Sequence, residues 1–162
     1  MNSGLLIRDY VEASDLAGLR QCVVELQDHE RVIDPRMPPG NDIADAYIGE
    51  VLERCEECAG KILVALVGDE IAGYASILTK VHSDSLDDGN IEYGLIGDLV
   101  VLDRFRGNGI GRKLIAAAEA HARACGVRWL RLCVLDRNAV AKQLYRSAGF
   151  SELYVDLEKK LK

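Results

Sequence analysis

A glycine-rich run between two arginines is the part of the chain best suited to bind an anion. In Arg106-Gly107-Asn108-Gly109-Ile110-Gly111-Arg112, glycines alternate with other residues just before a helical pattern. Because glycine has no Cβ, successive backbone N–H groups can turn toward one ligand. A helix that begins here adds unpaired N–H groups and a partial positive charge. The spacing predicts a pyrophosphate-binding turn made by Arg106, Gly107, Asn108, Gly109, Ile110, Gly111 and Arg112.

Two common phosphate-binding motifs do not fit this run. A dinucleotide-binding GxGxxG that starts at Gly107 needs glycine at position 112, where Arg112 stands. A Walker loop from the same start needs Gly-Lys at 112–113, but the sequence has Arg112-Lys113 followed by Leu114. The spacing therefore disfavours a generic nucleotide-binding domain.

The distribution of charge agrees with a local anion site. The 162 residues carry a net charge of −6, which divides into −13 for residues 1–100 and +7 for residues 101–162. A basic segment in an acidic protein favours a phosphate-bearing cofactor, and the acidic part suits a cationic second substrate. The overall negative charge opposes binding of nucleic acid.

The cysteines and the hydropathy indicate a cytoplasmic protein without metal. An odd number of cysteines, five, and the lack of a secretory signal argue against a disulfide framework. Cys55 and Cys58 form a lone CxxC, and zinc would need two further ligands. The longest strongly apolar run, Ile62 to Val67, is far shorter than the roughly 20 residues of a membrane span.

Strand and helix patterns alternate along the chain and must position these residues. Strands are predicted at Leu5–Tyr10, Lys61–Val67, Glu70–Thr79, Ile91–Leu102, Arg128–Leu135 and Phe150–Leu157. Helices are predicted from a cap at Ser14-Asp15 to about Asp28, and at Asp42–Cys58, Gly109–Cys125 and Asn138–Ala148. Because no internal repeat or linker interrupts the pattern, we predict one α+β domain over residues 1–162 with a mixed sheet.

Two segments resemble the signatures of the GNAT N-acetyltransferase superfamily. Residues 106–111 match R/Q-x-x-G-x-G/A, and residues 138–150 are similar to N-x-x-A-x-x-L-Y-x-x-x-G-F. Residues 97–105 look like the fourth strand of that family and its exit. The resemblance is sharp over residues 91–150. It implies a mostly antiparallel, twisted mixed sheet with helices on both faces and splayed central strands.

The resemblance also implies acetyl-CoA as co-substrate and a role for each matching residue. The backbone of Leu99 and Val101 would pair with the pantetheine, and Asn138 would hydrogen-bond the same arm. The amides of residues 107–112 would bind the pyrophosphate. Tyr145 would lie near the thioester sulfur, and the N–H of Val100 would meet the developing oxyanion.

The reaction needs a proton acceptor and a proton donor. A lysine-like amine has a pKa of roughly 10.4 and attacks only when neutral, while the leaving thiolate needs a proton. The phenol of Tyr145 suits the donor, unless this ring is only a core aromatic. Gly97-Asp98 stands where several relatives carry Glu-Asp, so the usual glutamate is missing. Asp98, or Glu92 six residues earlier at the same strand parity, could act as base through water; alternatively neither does, and Asp98 only bonds a neighbouring loop.

Two function classes follow from these residues. The first is an enzyme that transfers acetyl directly to a primary amine of a small cationic molecule or an exposed protein amino group. The second is a non-catalytic acyl-CoA-binding or regulatory module. Cys125 at a helix end and Cys133 inside a predicted strand, where we expect it to be buried, make a covalent acetyl-cysteine route the weaker interpretation. The acceptor is expected near residues 29–60 and the loop at 81–92, and a homodimer is possible, since dimers are common in the family.

Overall fold

The computed structural model describes residues 4–83 and 85–162 of the chain. Asp84, which belongs to the predicted acceptor-side loop, and residues 1–3 of the predicted domain lie outside the described residues. The elements follow in the order β1 (Leu5–Asp9), α1 (Glu12–Ile33), α2 (Gly40–Glu57), β2 (Lys61–Val67), β3 (Glu70–His82), β4 (Glu92–Val101), α3 (Ile110–Ala124), β5 (Leu130–Leu132) and α4 (Ala139–Ser147). Short 3₁₀ turns at Leu86–Asp88 and Asp103–Phe105 flank β4.

The five strands form one sheet in the order β1-β2-β3-β4-β5. The first three pairings are antiparallel and the pairing of β4 with β5 is parallel. Apolar side chains of α1 and α2, such as Leu19 and Ile48, cover one face, and those of α3, such as Ile110 and Leu114, cover the other. The predicted α+β class, with a mostly antiparallel mixed sheet between helices, is confirmed.

The first helix is longer than predicted. It continues from Glu12 through Asp28 to Ile33, and Asp34 is its C-cap. Pro35 restricts the backbone of the residue before it to extended conformations, so the helix has to end here. Its C-terminal turn thereby comes close to the segment before α4, where the Arg137 guanidinium donates to the carbonyl of Ile33 at 2.6 Å.

The prediction of a final strand at Phe150–Leu157 is wrong, and that of β5 at Arg128–Leu135 is too long. Residues 151–162 are irregular and exposed, and β5 spans three residues. Alternating apolar residues favour a strand, but a strand also needs a neighbouring strand to pair with. The final segment is instead tied to α4 by an Arg146–Glu152 ion pair and to the α1–α2 loop by an Arg36–Glu158 pair. Because β5 ends at Leu132, Cys133 is exposed and not buried as expected.

A β-bulge in β4 decides which side chains point to which face of the sheet. Ala75 of β3 pairs with Leu99, and Ile77 pairs with Ile96, so Gly97 and Asp98 together oppose Ser76. Before the bulge, Ile96 packs on the α3 side; after it, Leu99 packs there and Val100 packs with α1 and α2. The inserted residue therefore exchanges the two faces of the strand.

Candidate active site

The turn between β4 and α3 has the backbone geometry expected of an anion site. Gly107 and Gly109 are left-handed, with φ of +79° and +74°. A Cβ placed on either glycine would meet no atom within 4 Å, so backbone strain, and not crowding, favours glycine here. Gly109 caps α3, whose first amides, at residues 110–112, have no acceptor within the helix and lie at its positive end.

The side chains of the turn hold its shape. The Arg106 Nε donates to the carbonyl of Val101 at 2.9 Å, and its guanidinium pairs with Asp103 at 2.5 Å. The Asn108 amide donates to the carbonyl of Phe105 at 3.1 Å. Arg112 reaches across to α4, where it donates to Ser147 Oγ at 3.1 Å. These contacts leave the backbone amides as the groups that face a ligand.

Beyond the bulge, the β4 edge on the β5 side has no paired strand in the described part of the chain, and this open edge at residues 99–101 is called the cleft. The register of β4 with β5 extends only from Gly94 opposite Leu130 to Ile96 opposite Leu132, and the bulge follows immediately. The amide of Leu102 donates to the carbonyl of Ala72, so this residue faces β3. Since backbone groups alternate along a strand, Leu99 and Val101 face away from β3 and into the cleft. The Leu99 backbone and the Val101 amide thus have the direction that a pantetheine arm would need, and the Val101 carbonyl already accepts from Arg106 Nε.

Val100 does not fit the role expected of it. A Cβ on Gly73 of β3 would come within 2.3 Å of the Val100 carbonyl oxygen, so this carbonyl faces β3. The amide of the same residue points the same way, because both backbone groups of one residue in an antiparallel strand lie on one side. Leu99 is the first residue beyond the bulge whose amide faces the cleft, so the amide of Leu99, and not that of Val100, has the direction that an oxyanion contact would need.

Asn138 and Tyr145 share one face of α4, since seven residues are two helical turns. Asn138 caps the helix, and its Oδ1 accepts a hydrogen bond from the Ala141 amide at 3.1 Å. This leaves the Asn138 Nδ2 as the group that can reach a ligand. Gly111 lets α3 and α4 approach closely, because a Cβ there would lie 3.1 Å from Leu144 Cδ2.

Tyr145 remains a phenol at neutral pH. Burial, followed by the negative charges of Glu30 and Asp98, raises the pKa of Tyr145 to about 12. Its ring packs edge-on against Phe150, with ring centres 6.3 Å apart. The side chain is therefore held in place and keeps a proton that it can donate.

Asp98 is buried, and both of its carboxylate oxygens accept hydrogen bonds. Only 5% of its surface is exposed. Its Oδ1 accepts from the Tyr47 hydroxyl at 2.6 Å and its Oδ2 from Ser76 Oγ at 3.0 Å, while its amide donates back to Ser76 Oγ at 2.8 Å. Burial raises the pKa of Asp98, and the bonds from Tyr47 and Ser76 oppose that rise. A Cβ on Gly97 would lie 2.8 Å from Ser76 Oγ, so glycine at this position gives Ser76 room to hold the carboxylate.

Glu92 is not part of this site, which corrects the expectation from strand parity. Six residues of strand place it on the order of 20 Å from Asp98. The bulge also puts the two carboxylates on opposite faces, although both numbers are even. Glu92 instead pairs with His82 Nε2 at 3.0 Å near the start of β4.

Sequence reasoning missed three polar residues that surround Asp98. Ser76 lies on β3, Tyr47 projects from the buried side of α2, and Glu30 continues the face of α1 that carries Val23 and Leu26. The available signal was a polar group within an apolar helical stripe, which needs a hydrogen-bond partner once buried.

Within residues 4–83 and 85–162, no cluster of His, Cys, Asp or Glu is arranged to hold a metal ion. None of the described helices is long and apolar enough to cross a membrane.

The α+β fold and the glycine turn between β4 and α3 agree with the class of acyl-CoA-dependent acyltransferases. A model of the Acetyltransferase (GNAT) family matches residues 25–150, and the chain belongs to this family. The resemblance of the two signatures is thereby confirmed.

Individual relatives agree with the assignment to this family. The uncharacterized N-acetyltransferase YycN of Bacillus subtilis is 38% identical over 66 residues, which are 41% of this chain and 42% of that protein. Mycothiol acetyltransferase of Thermobifida fusca is 39% identical over 77 residues, which are 44% of this chain and 23% of that protein. The chain thus matches less than half the length of these relatives. The crystal structure of PH1933 from Pyrococcus horikoshii superposes with a TM-score of 0.75 at 25% identity, over 94% of this chain and 92% of that one.

The glycine turn yields a prediction about binding of CoA. In Gly109→Val, a branched side chain meets a left-handed backbone and stands where phosphate oxygens would approach the amides. We expect calorimetry with CoA to show a loss of more than about tenfold, equivalent to roughly 1.4 kcal/mol. Gly126→Val is the matched control, because Gly126 has φ of +78° and lies beyond the far end of α3. Equal affinity of the Gly109 variant and the control would refute the pyrophosphate assignment.

Proposed function

We propose that the chain transfers an acetyl group from acetyl-CoA directly to a primary amine, within one domain that spans it. The observation that carries this proposal is the bulge at Gly97-Asp98. It ends the pairing of β4 with β5 beside the glycine turn, so an extended arm can add to β4 like a strand. Tyr145 then stands beside the end of that arm where the thioester would lie.

Backbone groups supply most of the proposed contacts to acetyl-CoA. Leu99 and Val101 would pair with the pantetheine, the Asn138 Nδ2 would bond the same arm, and the amides of residues 107–112 would hold the pyrophosphate. Three observations support these contacts: the direction of the β4 backbone, the cap geometry of α4, and the unpaired amides in the first turn of α3. Arg112 and Lys113 add positive charge at the turn.

The proposed chemistry forms a C–N bond and breaks a C–S bond. The amine nitrogen attacks the thioester carbon, and the amide of Leu99 stabilises the negative charge that develops on its oxygen. As the intermediate collapses, Tyr145 donates its proton to the departing sulfur. Its raised pKa supports this role, because the phenol keeps its proton until the thiolate forms.

The proposed acceptor is a small cationic molecule or an exposed protein amino group. The half-buried carboxylate of Glu30 and the buried one of Asp98 lie on the acceptor side, where they attract an ammonium group. The name of mycothiol acetyltransferase agrees with acetylation of a small molecule.

A panel of primary amines tests the function. Wild-type protein with acetyl-CoA should release free CoA thiol and form an amide with at least one cationic amine. Binding of CoA without turnover on any amine would instead favour the alternative, a non-catalytic acyl-CoA-binding or regulatory module. That module would have no need of a proton donor beside the thioester.

Tyr145→Phe tests the proton donor. The substitution keeps the ring and its packing on Phe150 but removes the hydroxyl. With an accepted amine, and with chemistry limiting the rate, we expect kcat to fall roughly 10²-fold while KM for acetyl-CoA stays nearly constant. Tyr154→Phe, in the exposed final segment, is the control and should leave kcat unchanged. If the Tyr145 variant retained most of its kcat, solvent would be the proton donor.

We also propose that two copies associate through the final segment. Leu153, Val155 and Leu157 alternate along it and are 59%, 75% and 92% exposed. They match the pattern of a strand, and the sheet ends at β5. The outer edge of β5 lies near this segment, since Tyr154 approaches Arg131 of that strand.

The cytoplasmic location stays a prediction, with which the five free thiols agree.

Light scattering tests the homodimer. We expect a mass twice the 17.8 kDa of one chain. Val155→Lys should yield the mass of a single chain, because a charge would be buried in the interface. Leu86→Lys, at a fully exposed position elsewhere, is the control and should leave the dimer intact. A single-chain mass for the wild type would refute the proposal.

A further inference from the structure

We propose that Tyr47 and Asp98 form a proton relay that accepts the proton of the acceptor amine. This inference rests on the proposed acetyl transfer. It names a proton acceptor for the amine, a role that has no assigned residue because position 97 is glycine and not glutamate. The relay consists of one hydrogen bond, from the Tyr47 hydroxyl to Asp98 Oδ1, at 2.6 Å.

The geometry suits transfer in one direction. Tyr47 donates its only hydroxyl hydrogen to Asp98, so its oxygen has lone pairs left to accept an N–H from the acceptor. Tyr47 is half-buried, whereas Asp98 is 95% shielded from solvent, and the proposed route from an acceptor to the carboxylate therefore runs through the phenol. Ser76 holds the second carboxylate oxygen at 3.0 Å and prevents Asp98 from rotating away from Tyr47.

The protons balance over one turnover. The ammonium group gives one proton to Tyr47 Oη while the phenolic proton moves to Asp98 Oδ1, which leaves a neutral amine and a carboxylic acid. After the C–N bond forms, the nitrogen loses a second proton, which replaces the one that Tyr145 gives to the sulfur. Asp98 returns its proton through Tyr47 to water when the products leave.

The surroundings favour protonation of Asp98 more than of an exposed carboxylate. Burial, the largest influence, raises its pKa and so narrows the difference from the pKa of an amine. Nearby charge and hydrogen bonding come from every packed element, namely Glu30 of α1, Tyr47, Arg54 and Cys55 of α2, Tyr74 and Ser76 of β3, and Tyr145 of α4. Hydrogen bonds from the Tyr47 and Ser76 hydroxyls, and the charge of Arg54, act in the opposite direction and lower the pKa of Asp98.

The two tyrosines therefore have separate tasks. Burial, followed by the charges of Glu30 and Asp98, raises the pKa of Tyr145, which keeps that phenol protonated as the proposed donor. Tyr47 has a raised pKa too, but its proton already points at Asp98, so it can pass a proton on only by taking another. Glu30 lies near both tyrosines and is the competing proton acceptor.

The test compares Tyr47→Phe and Asp98→Asn with Tyr10→Phe on amines of different basicity. Tyr10 is a matched control, since its buried hydroxyl meets no hydrogen-bond partner in the described part of the chain. For alkylamines that are cationic at neutral pH, we expect kcat to fall roughly 10²-fold in both relay variants. For weakly basic amines such as trifluoroethylamine, which are already neutral, the loss should be several-fold at most. The loss with alkylamines should also shrink as the pH is raised.

The outcomes separate the relay from the proposed function. If the wild type acetylates no amine, the proposed function fails and the relay with it. If the wild type is active but Tyr47→Phe matches Tyr10→Phe, or loses equally on all amines, the relay is refuted and the hydroxyl is structural. If Glu30→Gln alone shows the loss that depends on basicity, Glu30 is the proton acceptor and the relay is also refuted. Because Tyr47→Phe changes one atom, it carries the test even if Asp98→Asn does not fold.

Discussion

The organisation of the site depends on one extra residue in β4. Because Gly97 and Asp98 together oppose Ser76, the strand bends and its faces exchange. This bend ends the pairing with β5 and opens the cleft. It also turns Asp98 away from α3 and into the layer under α1 and α2, where Tyr47 meets it. One local irregularity therefore opens the edge of β4 at which the proposed thioester would lie and turns the carboxylate of Asp98 toward α1 and α2.

Charge is arranged around the bulge with opposite signs on its two sides. The turn that follows β4 presents helix amides together with Arg112 and Lys113, which suits phosphate. The other side carries Glu30 and Asp98, which suit an ammonium group. The net charges of −13 for residues 1–100 and +7 for residues 101–162 agree with this division. In the proposed reaction, two substrates of opposite charge would thus be attracted to neighbouring places without competing.

The missing glutamate and the Ser76–Asp98 contact have one physical explanation. A side chain at position 97 would come within 2.8 Å of Ser76 Oγ, the atom that bonds both the carboxylate and the amide of Asp98. Glycine at 97 and serine at 76 are therefore compatible with each other, whereas glutamate at 97 would displace the serine. Of the two carboxylates expected here, the chain keeps only that of Asp98, which is buried and held by hydrogen bonds.

Motifs with strict local geometry were readable from the sequence alone. The glycine turn, the helix that begins at its end and the cap at Asn138 depend on φ angles and neighbouring amides, so residues close in sequence determine them. The partners of Asp98 were not readable, because Tyr47 and Ser76 lie on other elements and meet it only after packing. The prediction from strand parity that Glu92 and Asp98 share a face was wrong, because a bulge lies between them. A bulge depends on how two strands pair, and one strand's sequence does not show it. Likewise, the alternation at residues 150–157 predicted a strand, but the tertiary structure decided otherwise, since an extended segment becomes a strand only when a partner supplies its hydrogen bonds.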